Sequence, residues 1–289
     1  MATPTTTHVE PPRPDMTPAE HEKAVEHATQ EQNTREAQSL DAKTTWEVIR
    51  REGKAELERS SSALFWSGLA AGLSMGLSFL GVALLRSHLP DAPWRELVSK
   101  LGYSFGFLVV ILGSQQLFTE NTLTPLVPLL SDKKRETLFN VLRLWGVVLV
   151  ANLVGTLLFA LAMDYLAVAD SQTKRAMGDV AEEALRHDWW TTFARAVVAG
   201  WLIALLVWML PGGEKHKFAV IVLMSWLIAA GGFAHVIAGS SEVFYAASRD
   251  QTSWVEAVFG FIVPSLIGNM VGGITLVTAV NHGQATSGE

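Results

Sequence analysis

The sequence predicts an all-α membrane protein with six transmembrane helices in two inverted three-helix repeats, in which the second and fifth helices are broken. Apolar runs of about 20 residues, long enough to cross a bilayer, recur between residues 61 and 281. Polar stretches with glycine interrupt two of them, at Gly113–Thr122 and Gly231–Ser240. An apolar run with a central asparagine, Asn152 or Asn269, follows each interrupted run. One unit of three spans therefore occurs twice, and an odd number of spans inverts the second copy in the membrane.

Composition excludes a soluble globular domain and several kinds of site. Of the 289 residues, 49% are hydrophobic and 17% are charged, although the start of the chain is strongly polar. There is no cysteine, which excludes disulfides and cysteine-ligated metal, haem or iron–sulfur sites. The N-terminus lacks the short apolar core of a secretory signal peptide. There is no phosphate-binding loop and no HExxH motif, so we expect neither an enzyme nor a bound metal, cofactor or nucleic acid.

A cytoplasmic N-terminal segment, residues 1–60, is expected before a membrane domain of residues 61–281. Its first part, to about residue 36, is rich in Thr, Pro, Glu, His and Gln, and it cannot bury enough apolar surface to fold alone. We expect this part to be disordered. A charged helix follows, with a thin apolar stripe of Leu40, Trp46, Ile49 and Leu57. This helix either is a solvated or interfacial segment that leads into the membrane, or binds a partner.

The membrane domain is expected to contain spans at about residues 62–85, 97–130, 138–163, 191–210, 218–247 and 255–280. In the first span, Gly68, Gly72 and Gly76 recur every fourth residue and form a smooth face on which another helix can pack closely. A polar segment of residues 164–188, with a short helix over residues 176–187, separates the third span from the fourth.

Basic residues in short loops indicate the orientation in the membrane. Lys133–Arg135 and Lys215–Lys217 lie on the same side if six spans alternate, and short basic loops remain in the cytoplasm. We therefore expect a multi-pass protein of the inner membrane with both termini in the cytoplasm, including the short polar tail of residues 282–289.

The two polar breaks indicate a transport pathway. Backbone N–H and C=O groups in lipid must be satisfied internally, so irregular backbone at membrane depth is stable only where it is buried in protein or lines a cavity. Broken spans in corresponding positions of two halves point to a binding site at the bilayer midplane. The pattern is typical of a channel or transporter for a small solute.

Four motifs in this order resemble the formate/nitrite transporter family: Leu117–Thr119, Asn152–Phe159, Gly232–Ala238 and Ile267–Gly273. The resemblance covers about residues 60–281. It implies an aquaporin-like six-helix protomer and a homopentamer with one pore per protomer. It also implies that the substrates are small monovalent anions of weak acids, such as formate, nitrite, acetate or lactate.

The resemblance implies roles for individual side chains along the pore. Leu117 and Phe118 resemble the family's cytoplasmic constriction, Thr119 its loop hydroxyl, and His235 its single central histidine. Val154 would face the constriction from the third span. Three positions fall where the family places apolar pore-lining residues, namely Tyr103, Phe107 and Ile228.

The central polar side chains allow more than one role. A neutral His235 imidazole can offer its N–H to a passing anion, or it can lend a proton so that the anion crosses apolar constrictions as a neutral acid. Asn152 and Asn269 could cap the half-helix ends at the breaks or line the pore. Thr119 could line the pore or bond the loop backbone.

Two carboxylates, Glu120 and Glu242, are additions to the family pattern. Each could pair with Arg143 or Arg195, be protonated by burial, or lie outside the pore at a protomer contact. Arg143 could instead be a vestibule cation that attracts anions.

The predicted function is a pore for small monovalent weak-acid anions, with or without a coupled proton. The added carboxylates Glu120 and Glu242 leave open a pore for a neutral or cation-coupled solute. A third alternative is a non-conducting membrane scaffold or sensor that signals through its N-terminal segment.

Overall fold

A computed structural model describes Thr17, residues 40–212 and residues 216–278 of the protein. Apart from Thr17, the segment expected to be disordered lies outside the described residues, as do Lys215 of the second basic loop and the polar tail of residues 282–289. Every regular element in the described part is helical, which confirms the all-α prediction.

The helices, in chain order, are α1 (Ala42–Glu58), α2 (Ser61–His88), α3 (Arg95–Ser99), α4 (Ser104–Leu112), α5 (Leu126–Asp132), α6 (Arg135–Tyr165), α7 (Ser171–Ala184), α8 (Trp189–Met209), α9 (Lys217–Ala230), α10 (Val236–Ser248) and α11 (Val263–Val271). Two 3₁₀ turns, Lys100–Tyr103 and Glu120–Thr122, join α3 to α4 and precede α5. Two π-helical stretches, Glu256–Ile262 and Gly272–Thr278, flank α11.

Four helices among the described residues are long and apolar enough to cross a membrane. They are α2, α6, α8 and the continuous helix through α11, over Glu256–Thr275. Two further apolar regions are split into shorter helices, one into α3, α4 and α5 and the other into α9 and α10. The division between α4 and α5 and the division between α9 and α10 fall at the polar stretches that the sequence marks as breaks.

Glycines bring α2 against α6, and α8 against α11, at backbone contact. A Cβ atom on Gly72 would lie 2.2 Å from the carbonyl oxygen of Asn152, and one on Gly200 would lie 2.2 Å from that of Asn269. Small residues permit this approach because any side chain at these positions would overlap the facing helix. Asn152 on α6 is therefore held directly against α2, and Asn269 on α11 is held directly against α8.

Two elements differ from the sequence prediction. Helix α7 begins at Ser171 rather than near residue 176 because Asp170 is its N-cap, and the Asp170 carboxylate accepts the N–H groups of Gln172 and Thr173. The last span is not a uniform α-helix. Pro264, at the start of α11, has no N–H with which to close an α-helical turn, and the turns before it are π-helical.

An ion-pair network joins α7 to α2 and to the turn after α3. Glu183 contacts Arg86 at 2.7 Å and Lys100 at 3.1 Å, and Arg86 also contacts Glu96 at 2.7 Å. Burial alone would raise the pKa of Glu183, but Lys100 and Arg86 together hold that pKa below its usual range. The network therefore contains an ionised glutamate at neutral pH.

Glu183→Gln is expected to lower the free energy of unfolding by about 2 kcal/mol at neutral pH, because two charge-assisted hydrogen bonds are lost. The contribution of the carboxylate is present above its unfolded-state pKa, about 4.3, and is lost as the pH falls through the lowered folded-state pKa. Chemical denaturation in detergent at neutral and acid pH measures it. Glu182→Gln, at the exposed neighbouring position, is the matched control. An equal deficit for Glu183→Gln at both pH values would contradict the ion-pair explanation.

Candidate functional site

Both helix breaks begin with the same backbone motif. At the end of α4 the N–H of Gln115 bonds to the carbonyl of Val110 at 2.9 Å, and at the end of α9 the N–H of Phe233 reaches back five residues in the same way, also at 2.9 Å. The residues before them, Ser114 (φ 50°) and Gly232 (φ 62°), have left-handed backbone. These are Schellman motifs, which end a helix and turn the chain out of its axis. The same termination therefore produces both breaks.

Each central asparagine bonds the backbone of the break beside it. Oδ1 of Asn152 accepts the N–H of Phe118 at 2.9 Å, and its Nδ2 donates to the carbonyls of Gly68 (2.7 Å) and Gln116 (2.9 Å). Asn269 repeats this arrangement in the second half, at 2.8–2.9 Å, with Val236, Ala196 and Ala234. Both asparagines are fully buried. Of their two predicted roles, this geometry supports capping, since backbone groups occupy both amide N–H donors.

The two breaks meet at a hydrogen bond between His235 and Thr119. Nε2 of His235 lies 2.8 Å from Oγ1 of Thr119, and both side chains are buried. Nδ1 of His235 accepts the N–H of Ala238 at 3.2 Å and thereby caps α10. We assign the proton of the neutral ring to Nε2 from these partners, because Nδ1 acts as an acceptor. His235 therefore donates to the Thr119 hydroxyl.

Aromatic rings extend from His235 to a cavity. Phe107 meets the imidazole edge-on, with 5.1 Å between ring centroids, and Tyr103 packs on Phe107 at 5.5 Å. The cavity has a volume of about 390 Å³ and is lined by Tyr103 and His235 among others. We call it the vestibule. Its wall also carries the charged or titratable side chains of Lys100, Glu183, Arg186, His187, Arg195 and Glu242.

Three more of the apolar residues predicted for the pore, Leu117, Phe118 and Ile228, are buried and do not line the vestibule. Leu117 and Phe118 precede Thr119 in the first break, have exposed fractions of 0% and 1%, and do not line the vestibule. The Phe118 ring meets the edge of Trp145 at 6.4 Å. Ile228 belongs to the apolar core in the last turn of α9.

The prediction that Val154 faces the constriction is wrong. Its side chain is 37% exposed and lies with Val150 on an outward-facing stripe of α6. Two positions along an α-helix turn a side chain through about 200°. Since Asn152 points inward, Val154 must point to the opposite face.

Arg143 and Arg195 do not pair with the added carboxylates. Nη2 of Arg143 donates to carbonyl groups near the end of α1, those of Leu57 (2.8 Å) and Arg59 (3.0 Å). Arg195 donates to the carbonyls of Gly231 and Gly232 in the second break, at 2.9 and 2.7 Å. Both guanidinium groups satisfy carbonyls that a helix end leaves free. Arg143 does not line the vestibule defined above.

Sequence reasoning missed the contact between α1 and the first break. Glu56 of α1 accepts hydrogen bonds from Thr124 (2.8 Å) and from Gln116 (3.4 Å). Burial raises the pKa of Glu56, and these two bonds oppose the shift. Oε1 of Glu120 is buried without a hydrogen-bond partner in the described part of the chain. The available signal was the polar run of residues 114–124, whose side chains need partners at membrane depth.

A family model described as formate/nitrite transporter matches residues 43–283 of the chain. The chain belongs to the formate/nitrite transporter family. One relative is the inner membrane protein YfdC of Escherichia coli. The two sequences are 40% identical over 238 residues, which make up 82% of this chain and 77% of YfdC. The formate channel FocA of Haemophilus influenzae is 28% identical over 239 residues, 72% of this chain and 82% of that protein.

Two solved structures share the fold of this formate/nitrite transporter family member. A pentameric formate channel with formate bound has a TM-score of 0.62 and 22% identity, covering 76% of this chain and 95% of that chain. An FNT family ion channel has a TM-score of 0.71 and 19% identity, and the match covers 82% of this chain and 97% of that chain. Family membership and the apolar helices together show a multi-pass membrane protein. The match to the family model also confirms the resemblance drawn from the four motifs.

Proposed function

We propose that this protein is a pore protomer that passes small monovalent weak-acid anions, of the formate, nitrite, acetate or lactate class, across the inner membrane. The hydrogen bond between His235 and Thr119 carries the proposal, because it joins two buried polar groups where the helix breaks meet beside the vestibule. Relatives that are formate channels support the substrate class.

The chemistry at this contact suits an anion or its acid. Oγ1 of Thr119 accepts the Nε2–H of His235, so the hydroxyl proton of Thr119 is free to be donated to an oxygen of the solute. The solute then passes the apolar side chains of Leu117 and Phe118, where a bare charge costs several kcal/mol. A neutral weak acid avoids most of that cost, which favours solutes that can be protonated.

The architecture that we propose has six spans in two inverted repeats, with both termini in the cytoplasm. Matched Schellman motifs, matched asparagine bonds and matched glycine contacts in the two halves support the repeat. We also propose a homopentamer, supported by the pentameric formate channel of the same fold. The outward-facing apolar stripe of α6 that contains Val150 and Val154 suits contact with lipid or a neighbouring protomer.

Solute flux into proteoliposomes tests this function. We expect the purified wild-type protein to move at least one of formate, nitrite, acetate and lactate faster than protein-free liposomes do, with a rate that rises on acidification. If none of the four acids moves faster than through protein-free lipid, while the protein is shown to be folded, the proposed function is overturned.

His235→Asn and Thr119→Val are each expected to lower this flux by about tenfold or more, since a hydrogen bond to a charged group is worth about 1.5–3 kcal/mol. Asparagine is a good N-cap and can still accept the Ala238 N–H, so His235→Asn removes the Nε2–H donor and leaves α10 capped. Thr119→Val removes the hydroxyl at nearly constant volume. The double variant should lose little more than either single variant, because the two side chains act as one unit. Losses that multiply would show that the residues act separately.

A further inference from the structure

We propose that Glu242 is a proton-exchange site of the vestibule, which gives a proton to the transported anion before the solute reaches Thr119. This inference rests on the proposed function and names the source of the coupled proton. Glu242 then lends the proton to the anion, a role that the sequence alone left open for His235.

His235 is held in a form that does not lend a proton. Its Nδ1 accepts the Ala238 N–H, so a second proton on the ring would turn this acceptor into a donor and set two N–H groups against each other. Its single proton, on Nε2, is already donated to Thr119. The geometry makes His235 a fixed N–H donor, and a proton that travels with the solute must come from another group.

Glu242 occupies the same helix face as His235. The two residues are seven positions apart, about two turns of α10, and both line the vestibule. Gly239 lies between them on that face and also lines the cavity. A Cβ atom on Gly239 would lie 2.3 Å from the Phe261 ring, so no side chain can stand there. The Phe261 ring, rather than a side chain of α10, therefore occupies the wall between the carboxyl group and the imidazole.

The carboxyl group of Glu242 is available for exchange. The nearby cations have other partners, since Lys100 contacts Glu183 at 3.1 Å and Arg195 donates to the carbonyls of the second break. Within the described ranges, no hydrogen bond or ion pair engages the Glu242 side chain. The titratable and charged groups that share the vestibule wall with it are Lys100 and Tyr103 from the 3₁₀ turn, Glu183 from α7, Arg186 and His187 from the following loop, Arg195 from α8, and His235. Helix α2 and the first π-helical stretch contribute only the apolar Val82 and Phe261.

The exchange consists of two proton transfers. The O–H bond of the Glu242 carboxyl breaks as an O–H bond forms on the anion, which leaves a carboxylate and a neutral acid. The neutral acid continues past Thr119, and a hydronium ion in the vestibule returns a proton to the carboxylate and becomes water. Outward movement uses the same steps in reverse.

Glu242→Gln tests the assignment, because glutamine keeps the shape of a protonated glutamate and cannot exchange a proton. Formate flux is measured in proteoliposomes together with the luminal pH, reported by a trapped dye. At neutral pH we expect a loss on the order of 10²-fold, the lower end of what a positioned proton donor contributes. At acid pH, where more formate enters the vestibule already protonated, the loss should shrink. The variant therefore has a steeper pH profile than the wild type.

Glu242→Asp and Glu182→Gln complete the experiment. Aspartate retains an exchangeable carboxyl group and should restore most of the flux at neutral pH, and it also provides the test if Glu242→Gln does not fold. Glu182→Gln, exposed on α7 and outside the vestibule, should match the wild type. Wild-type flux with an unchanged pH profile in Glu242→Gln would overturn this inference alone. Absence of flux for all four acids in the wild type would overturn the proposed function together with it.

Discussion

We expect Gly72→Ala to leave little folded protein, whereas Gly146→Ala leaves the protein folded. A Cβ atom on Gly72 would lie 2.2 Å from the backbone oxygen of Asn152, and neither backbone can move away without separating α2 from α6. Overpacking costs about 1–3 kcal/mol. Separating the helices also breaks the bond from the Asn152 amide to the Gly68 carbonyl of α2, at about 1–3 kcal/mol for each buried group left unpaired. The sum is comparable with the whole stability of a domain, about 5–15 kcal/mol.

Gly146 is the matched control on α6. A Cβ atom there has nothing within 4 Å, so alanine should raise helix stability by about 0.5–1 kcal/mol. The yield of monodisperse protein in detergent and the denaturation midpoint measure both effects. Gly200→Ala should be as damaging as Gly72→Ala, because its Cβ would lie the same 2.2 Å from the carbonyl oxygen of Asn269. Equal behaviour of Gly72→Ala and Gly146→Ala would contradict the close-packing explanation.

The sequence predicted the parts of this fold that follow from composition and local pattern. Glycine-containing polar stretches within apolar runs marked both breaks, because polar groups at membrane depth need protein around them. The recurring glycines marked the face of α2 that contacts α6. Asp170 was also readable as the N-cap of α7, since Asp is a preferred N-cap residue, and its omission displaced the predicted start of that helix.

The sequence failed where an answer depended on helix rotation or on a distant backbone partner. Val154 was assigned to the pore although two positions from an inward Asn152 place it outward. Arg143 was a candidate partner for the added carboxylates, but it donates to the backbone carbonyls of Leu57 and Arg59. Every residue has a backbone carbonyl that can accept a hydrogen bond, so the sequence does not indicate which carbonyl a long side chain will bind. The same reason hid the bonds of Glu56 to the first break.

Asn152→Leu is expected to lower flux by about tenfold or more, as Thr119→Val does, and to lower the free energy of unfolding by about 2–6 kcal/mol. Leucine has a similar volume but leaves the N–H of Phe118 and the carbonyl of Gln116 buried without a partner, at about 1–3 kcal/mol each. These two groups belong to the chain that places Thr119 beside His235, so the solute site moves when they are released. Denaturation and proteoliposome flux of the same preparation measure the two effects.

Asn140→Leu is the matched control for Asn152→Leu. Asn140 lies on the same helix, is partly exposed, and has no side-chain hydrogen bond in the part of the chain that the structure describes. Its replacement should change neither stability nor flux appreciably. If Asn152 acts by positioning Thr119, adding Thr119→Val to Asn152→Leu should cost no further flux, because the hydroxyl is already misplaced. Wild-type flux from folded Asn152→Leu protein would instead show that the asparagine does not hold the solute site in place.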